Sequence, residues 1–149
     1  MATVPTHGDF VESCRSEFRF LLDEFGFREA ACSVPQERFC VRFTKNDRSL
    51  EVRGEGWGTT AACDVFCGAK GPLSLIYLVP DAARPKRSRR RDRMGQLDHI
   101  REWAQFAREH AKDFLGGDIS RFERIWDVHQ REAARRRETL RRMADGGSS

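Results

Sequence analysis

Residues 39–52 read FCVRFTKNDRSLEV, and this stretch decides the fold class. Its apolar residues fall on every second position, first from 39 to 43 and again at 50 and 52. A period of two is typical of a strand with one buried face. Asn46-Asp47 lies between the two runs and supplies side chains that favour a tight turn. The stretch therefore predicts two antiparallel strands, whose alternating residues are Phe39, Val41, Phe43, Leu50 and Val52.

The chain continues with short apolar runs that glycines separate. The glycines between 54 and 58 surround Trp57 and indicate a bend or loop. Residues 59–66 predict another strand, and residues 68–72 a second break. The apolar run 73–79 fits either a buried strand or one helical turn, because periodicity does not separate the two. Short strands joined by short turns favour an antiparallel meander.

A helix is predicted before the strands. Apolar residues recur at steps of three and four from Phe10 to Phe25, which places them on one face of a helix. We expect Gly8-Asp9 to cap the start of this helix and Gly26 to end it in a left-handed conformation. The predicted apolar face contains Phe10, Val11, Cys14, Phe18, Leu21, Leu22 and Phe25.

Two helices are predicted after the strands. The same spacing runs from Leu97 to Phe114, and Gly116-Gly117 stops this first helix. Asp118 caps the second helix. From Gln130 the apolar stripe disappears, so we expect a projecting basic helix that frays at its end. The predicted inner face of the second helix is Ile119, Phe122, Ile125 and Trp126.

Helices that flank a block of strands favour the α+β class. We predict an N-terminal helix, an antiparallel sheet of about four strands, two C-terminal helices packed on one face and a basic C-terminal extension. Residues 1–130 are expected to form a single α+β domain, and residues 131–149 a basic helical or disordered tail. Prolines and arginines between 80 and 93 predict an exposed, mobile basic loop.

Charge is distributed unevenly along the 149 residues, whose net charge is +4. Residues 84–93 contain seven basic residues and one acid, a net +6, and residues 131–142 contain six arginines and two glutamates, a net +4. The rest of the chain is left with −6. Basic segments of this kind attract phosphate backbones or acidic proteins. A solvated surface segment has the same composition, so charge alone does not decide between these roles.

Targeting signals are not evident in the sequence. The chain does not open with a basic segment followed by an apolar one, and no run of about 18 apolar residues occurs. We therefore expect neither a signal peptide nor a membrane helix. The five cysteines, an odd number without a secretory signal, are interpreted as reduced thiols in the cytoplasm.

Residue types that support catalysis or metal binding occur without a matching arrangement. Cys63 and Cys67 are four positions apart, which on a strand separates them by about 13 Å. His99 and His110 share one side of a predicted helix but lie about 16 Å apart. The glycines around Trp57 precede a strand and not a helix, so they do not fit a phosphate-binding loop. We predict no catalytic residue, no metal site and no cofactor.

Two short motifs resemble a loose group of small, largely uncharacterised bacterial α/β proteins. One is FLLDEFGF at 20–27, and the other is FLGGD at 114–118, followed by Phe122. Some look-alikes of this group resemble immunity proteins, which bind and neutralise a cognate toxin. The resemblance implies a non-enzymatic protein-binding module and offers no catalytic residues. The basic loop and tail depart from the acidic, compact form usual in the group.

Two main hypotheses follow. The first is a protein-binding module of the immunity or inhibitor kind, whose acidic sheet side meets a basic partner through Trp57, Glu51 and Glu55. The alternative is a nucleic-acid-associated protein that binds phosphate backbone. Neither basic segment interleaves aromatic residues, so base stacking is not expected. An enzyme with a site that the sequence does not reveal is a third, least supported alternative. The residues predicted for nucleic-acid binding are Arg84, Lys86, Arg87, Arg89, Arg90, Arg91, Arg93, Arg135, Arg136 and Arg137.

Overall fold

Five antiparallel strands form one sheet in the computed structural model, which describes residues 4–32, 39–86 and 88–146. The strands pair in chain order, so the sheet is a meander. This confirms the α+β class, with one strand more than expected, because the short first strand shows no alternation in its sequence. The strands are β1 (Arg28–Ala30), β2 (Cys40–Lys45), β3 (Arg48–Glu55), β4 (Thr60–Cys67) and β5 (Lys70–Ser74).

The stretch that decides the fold class forms the β2–β3 hairpin. Val41 lies opposite Val52 and Phe43 opposite Leu50, and all four side chains are buried. The turn between the strands contains Asn46 at a φ of 56°, a left-handed conformation that asparagine tolerates better than most residues. The predicted pair of strands and its turn are therefore confirmed.

The far half of the sheet departs from the prediction. β5 begins at Lys70, inside the expected break, because the turn that follows β4 is complete within residues 68–69. The apolar run 73–79 contains both of the predicted alternatives, a strand and a helical turn. Its first two residues complete β5, which ends at Ser74, and Leu75–Leu78 then form a single 3-10 turn.

Helix α1 (His7–Glu17) begins three residues before the predicted start at Phe10. Thr6 is its cap: the Thr6 hydroxyl accepts a hydrogen bond from the Asp9 N–H at 3.1 Å, and the Asp9 carboxylate accepts one from the Thr6 N–H at 3.2 Å. The prediction that Gly8-Asp9 caps the helix is wrong, because this reciprocal pair places Asp9 inside the first turn.

A second helical segment, α2 (Arg19–Asp23), continues α1 after a bend at Phe18. Gly26 follows with a φ of 73°, the left-handed conformation that was predicted.

Four further helices follow the sheet in the described residues. The predicted helix 97–114 is interrupted at Ala111, whose dihedral angles are not helical, and so forms two helices. Gly117, at a φ of 106°, ends the second of them as predicted. Asp118 accepts hydrogen bonds from the Ser120 N–H and hydroxyl at the start of the last helix. The helices are α3 (Arg89–Asp92), α4 (Gln96–His110), α5 (Lys112–Gly116) and α6 (Ser120–Gly146).

The core lies between one face of the sheet and the helices. Phe10 and Cys14 from α1, Ile100 and Ala104 from α4, and Phe122 from α6 are buried there. Removing a large apolar side chain from water contributes about 1.5–3 kcal/mol. These inward residues therefore fix α1, α4 and the first turn of α6 to the sheet.

Helix α6 has 27 residues and a length of about 40 Å. It runs without interruption through the expected domain boundary at residues 130–131, and its second half is exposed. In the described parts of the chain, no helix combines the length and apolar character needed to span a membrane.

A disulfide joins Cys32 to Cys40, with their Cα atoms 6.3 Å apart. The expectation of five reduced thiols is therefore wrong for these two residues. The strand register explains the bond: Ala30 pairs with Arg42, so two further steps bring position 32 opposite position 40. The cytoplasmic location rested on reduced cysteines and stays a prediction without that support. The remaining thiols belong to Cys14, Cys63 and Cys67, which are buried.

Candidate functional site

Trp57 stands at the end of the β3–β4 hairpin and is 97% exposed. A 3-10 turn, Gly56–Gly58, forms this end, which we call the Trp57 tip. Its three residues have φ values of 62°, 59° and 87°. Glycine adopts positive φ readily, but a bulky residue at 59° is strained. The indole is thus presented to solvent on a backbone conformation that tryptophan disfavours.

Side chains of α4 hold the base of the Trp57 tip. The Gln96 amide Nε2 donates to the Thr60 carbonyl at 2.9 Å, and the Trp103 indole Nε1 donates to the Ala61 carbonyl at 2.7 Å. Both acceptors lie at the start of β4. The tip therefore projects from a strand that is bonded to the body of the protein.

The two acids predicted beside Trp57 lie in different environments. Glu51 is 1% exposed, and its carboxylate bonds the Arg42 guanidinium at 2.7 Å on the outer face of the sheet. This burial contradicts its predicted role as a surface contact. Glu55 is exposed at the end of β3, two positions before Trp57.

The outer face of the sheet, opposite the face that packs on the core, contains paired charges. Besides the Arg42–Glu51 pair, Asp64 on β4 bonds Arg53 on β3 at 2.5 Å. The Arg42 guanidinium also lies 4.6 Å from the centre of the Phe66 ring. The acidic sheet side that was expected to meet a basic partner is therefore neutralised by arginines of the same sheet.

Residues 80–93 are anchored at both ends and contain more structure than the loop that was predicted. At the start, the Arg84 guanidinium donates to two backbone carbonyl oxygens at 3.0 and 3.1 Å. Near the end, Arg91 Nη1 donates to both carboxylate oxygens of Glu102 at 2.6 Å. Arg84 and Arg91 were predicted to contact phosphate, but each already has partners within the protein.

A groove of about 630 Å³ lies between residues 85–94 and the side of α4, and we call it the basic groove. Three of its cationic side chains, Lys86, Arg90 and Arg93, form no hydrogen bond or ion pair with the part of the chain that the structure describes. Glu102 neutralises Arg91, while Arg101 pairs with Glu17 at 3.4 Å. The charged lining comprises Lys86, Arg90, Arg91, Arg93 and Arg101, with Asp98 and Glu102.

A smaller cleft of about 460 Å³ shares Pro85, Arg91 and Met94 with the basic groove and is also lined by Thr59, the residue that follows the Trp57 tip. Thr60, Asp92 and His99 complete the lining of this cleft. The Cα atoms of Thr59 and Trp57 lie within about 7.6 Å, because consecutive Cα atoms are about 3.8 Å apart. The cleft therefore extends from a residue two positions after the exposed tryptophan to the basic segment, two features that were predicted under different hypotheses.

His99 on α4 lines the same cleft. Burial lowers the pKa of its imidazole, and the nearby Arg91 guanidinium lowers it further. His99 is therefore neutral at pH 7 and adds no charge to the cleft there.

The basic tail begins close to the start of the basic segment. The ring of Tyr77 lies 4.2 Å from the His129 ring on α6 and 5.7 Å from the Arg84 guanidinium. Beyond His129 the helix is exposed and contains the predicted Arg135, Arg136 and Arg137. The two basic regions of the sequence thus approach each other at Tyr77.

The predicted phosphate-binding residues do not all reach the groove. Arg89 is exposed on α3 but does not line it, and Arg87 lies outside the described residues. Arg101 and Met94 line the groove, although neither was predicted as a binding residue. No sequence signal identifies them, because their position depends on how segment 85–94 folds back along α4.

The thiols are unsuited to nucleophilic use at neutral pH. Burial, with a smaller effect of Glu29, raises the pKa of Cys14 to about 12. Burial raises the pKa of Cys63 well above its usual value, and burial with nearby Asp47 raises that of Cys67. A thiolate is the reactive form, and these environments disfavour it.

No group of three or more potential metal ligands occurs in residues 4–32, 39–86 and 88–146. Comparison with known proteins adds no assignment: no family model, curated protein or solved structure matches the chain. The resemblance to immunity-like proteins stays a prediction.

Proposed function

We propose that this protein binds nucleic acid through the phosphate backbone, using the basic groove as the primary contact. One observation supports the proposal above all: Lys86, Arg90 and Arg93 line the groove without any protein partner in the described chain. Cations that have no partner are available to replace the counterions of a phosphate backbone. Arg91 and Arg101, which have carboxylate partners, shape the groove instead.

The arginines of α6 extend this contact. Arg124, Arg131, Arg135 and Arg142 are spaced at seven, four and seven residues, which places them on one side of the helix. This row faces away from the buried side at Phe122. Backbone contacts of this type do not distinguish base sequences, so the proposed binding is not sequence-specific. In this proposal the protein acts by binding alone, without catalysis or cofactor.

The proposal is tested with fluorescently labelled DNA of about 16 nucleotides at about 50 mM salt. The variant K86Q/R90Q/R93Q removes the three unpaired cations. The matched control R19Q/R28Q/K112Q removes one lysine and two arginines that are exposed outside both the groove and α6. We expect the groove variant to bind at least about tenfold more weakly than the control variant. Equal binding by the two variants contradicts the proposal.

A second candidate is the protein-binding module, and the exposure of Trp57 favours it. Exposed tryptophans are enriched at binding hot spots. Because Glu51 and Asp64 are neutralised within the sheet, a partner of immunity type would contact Trp57 and Glu55, without the acidic sheet side first expected. A protein that wild type retains from nuclease-treated lysate at moderate salt, and that Trp57→Ala loses, supports this candidate. Loss of all retained material on nuclease treatment contradicts it.

A further inference from the structure

We infer that the nucleic acid bound by this protein is single-stranded, with an unpaired base stacked on Trp57 while the adjacent phosphates lie in the basic groove. This inference rests on the proposed function and adds the class of nucleic acid. The sequence provides no stacking residue within either basic segment. The structure supplies one from a distant part of the chain.

The exposure of Trp57 is the first support. Both indole faces are open to solvent at 97% exposure, on a hairpin end whose first β4 carbonyls are bonded to α4. A fixed, open aromatic surface is what base stacking requires. The positive φ of Trp57 shows that this exposure is maintained at a backbone conformation that glycine or asparagine would adopt more easily.

Continuity of the surface is the second support. The cleft beside the Trp57 tip shares Pro85, Arg91 and Met94 with the basic groove. A strand whose base stacks on Trp57 can therefore continue past Thr59 toward the unpaired Lys86, Arg90 and Arg93. Tyr77, 41% exposed beside Arg84, offers a second aromatic ring at the other end of segment 84–93.

The combination favours single strands over duplexes. Bases in a duplex are stacked and paired inside, so an aromatic ring on a hairpin tip gains nothing from them. Phosphates are accessible in single strands and in duplexes, so the groove alone does not distinguish them. Trp57 is the residue that favours single strands.

The test compares the binding of a labelled thymidine oligonucleotide of about 16 nucleotides with that of a duplex of the same length. We expect Trp57→Ala to weaken single-strand binding about 5- to 150-fold, the equivalent of one lost stacked base. Duplex binding should not change. Trp57→Phe should restore most of the single-strand affinity, and the control Leu140→Ala, at another exposed apolar position, should leave it unchanged.

The salt dependence separates this inference from the proposed function. Trp57 has no charge, so Trp57→Ala should leave the slope of log K against log salt unaltered. If Trp57→Ala binds single strands as tightly as wild type while K86Q/R90Q/R93Q binds weakly, the stacking inference is wrong and the proposed function holds. If wild type binds neither oligonucleotide at low salt, the proposed function itself is wrong.

Discussion

Two regions of this molecule are rich in arginine, but they use it differently. On the outer face of the sheet, Arg42 and Arg53 each bond a carboxylate on the neighbouring strand. In the basic groove, Lys86, Arg90 and Arg93 have no such partner among the described residues. The first set of charges is internal to the fold, while the second is available to an external anion.

The difference shows that net charge along a sequence does not locate a binding surface. Cross-strand pairing places Arg42 opposite Glu51 and Arg53 near Asp64, so opposite charges cancel. Segment 84–93 contains one acid and folds against α4, whose Glu102 pairs with Arg91. Which charges stay unpaired is therefore decided by the packing of the segment.

The largest predicted effect comes from breaking a pair on the outer face. Glu51→Gln removes the carboxylate and leaves the largely buried Arg42 without its counter-charge. We expect the free energy of unfolding to fall by about 3 kcal/mol. Urea unfolding measures this loss, and Glu55→Gln, at an exposed position, should stay within about 0.5 kcal/mol of wild type. Equal stability of the two variants would show that the Arg42–Glu51 pair does not stabilise the fold.

The second largest predicted loss of stability comes from removing the disulfide at the edge of the same face. C32S/C40S should lower the free energy of unfolding by about 2.5 kcal/mol, because a short loop is no longer closed in the unfolded chain. Reduction of the wild-type protein should produce the same loss in urea unfolding. A double variant as stable as oxidised wild type would mean that the bond does not form in solution.

A smaller effect on stability is expected when a substitution converts a paired cation into an unpaired one. Glu102→Gln frees Arg91 and removes an acid from the groove. Because the pair is partly exposed, we expect a loss of about 1 kcal/mol in unfolding free energy. Single-stranded DNA should nevertheless bind more tightly, as judged by fluorescence anisotropy. Weaker binding by this variant would contradict the distinction between paired and unpaired cations.

The smallest effect concerns His99. The pKa of its imidazole in the folded protein is below the ordinary value of about 6.5. At pH values between the folded pKa and about 6.5, the unfolded chain therefore binds more protons than the folded protein does. Stability should therefore fall as the pH drops below about 6.5 toward the folded pKa. His99→Gln should remove this part of the pH dependence between pH 7 and 5 in urea unfolding. If the pH dependence of stability is the same in His99→Gln as in wild type, the lowered pKa of His99 is contradicted.

Local patterns in the sequence predict much of the fold. The period of two around Asn46-Asp47 gives the β2–β3 hairpin, and Gly26 and Gly117 mark helix ends, because these features depend on neighbouring residues. The three-residue β1 has too little sequence for a period to show. The disulfide follows from the β1–β2 register and therefore cannot be predicted when β1 is not predicted.

The candidate site depends almost wholly on contacts between distant parts of the chain. Sequence identifies Trp57 and the basic segment separately. It does not show that Glu51 is buried and paired with Arg42, or that one cleft is lined by both Thr59, next to the Trp57 tip, and Arg91. Tertiary packing decides these points, and no local periodicity encodes it.

The most direct test of the account is the salt dependence of binding to a single-stranded oligonucleotide. Log K is measured against log salt for wild type, K86Q/R90Q/R93Q and the matched control R19Q/R28Q/K112Q. Each phosphate contact contributes about 0.7 to the slope, so the groove variant should be shallower than wild type by about 2, and the control should match wild type. Identical slopes for all three proteins would contradict the claim that the unpaired cations of the groove bind phosphate.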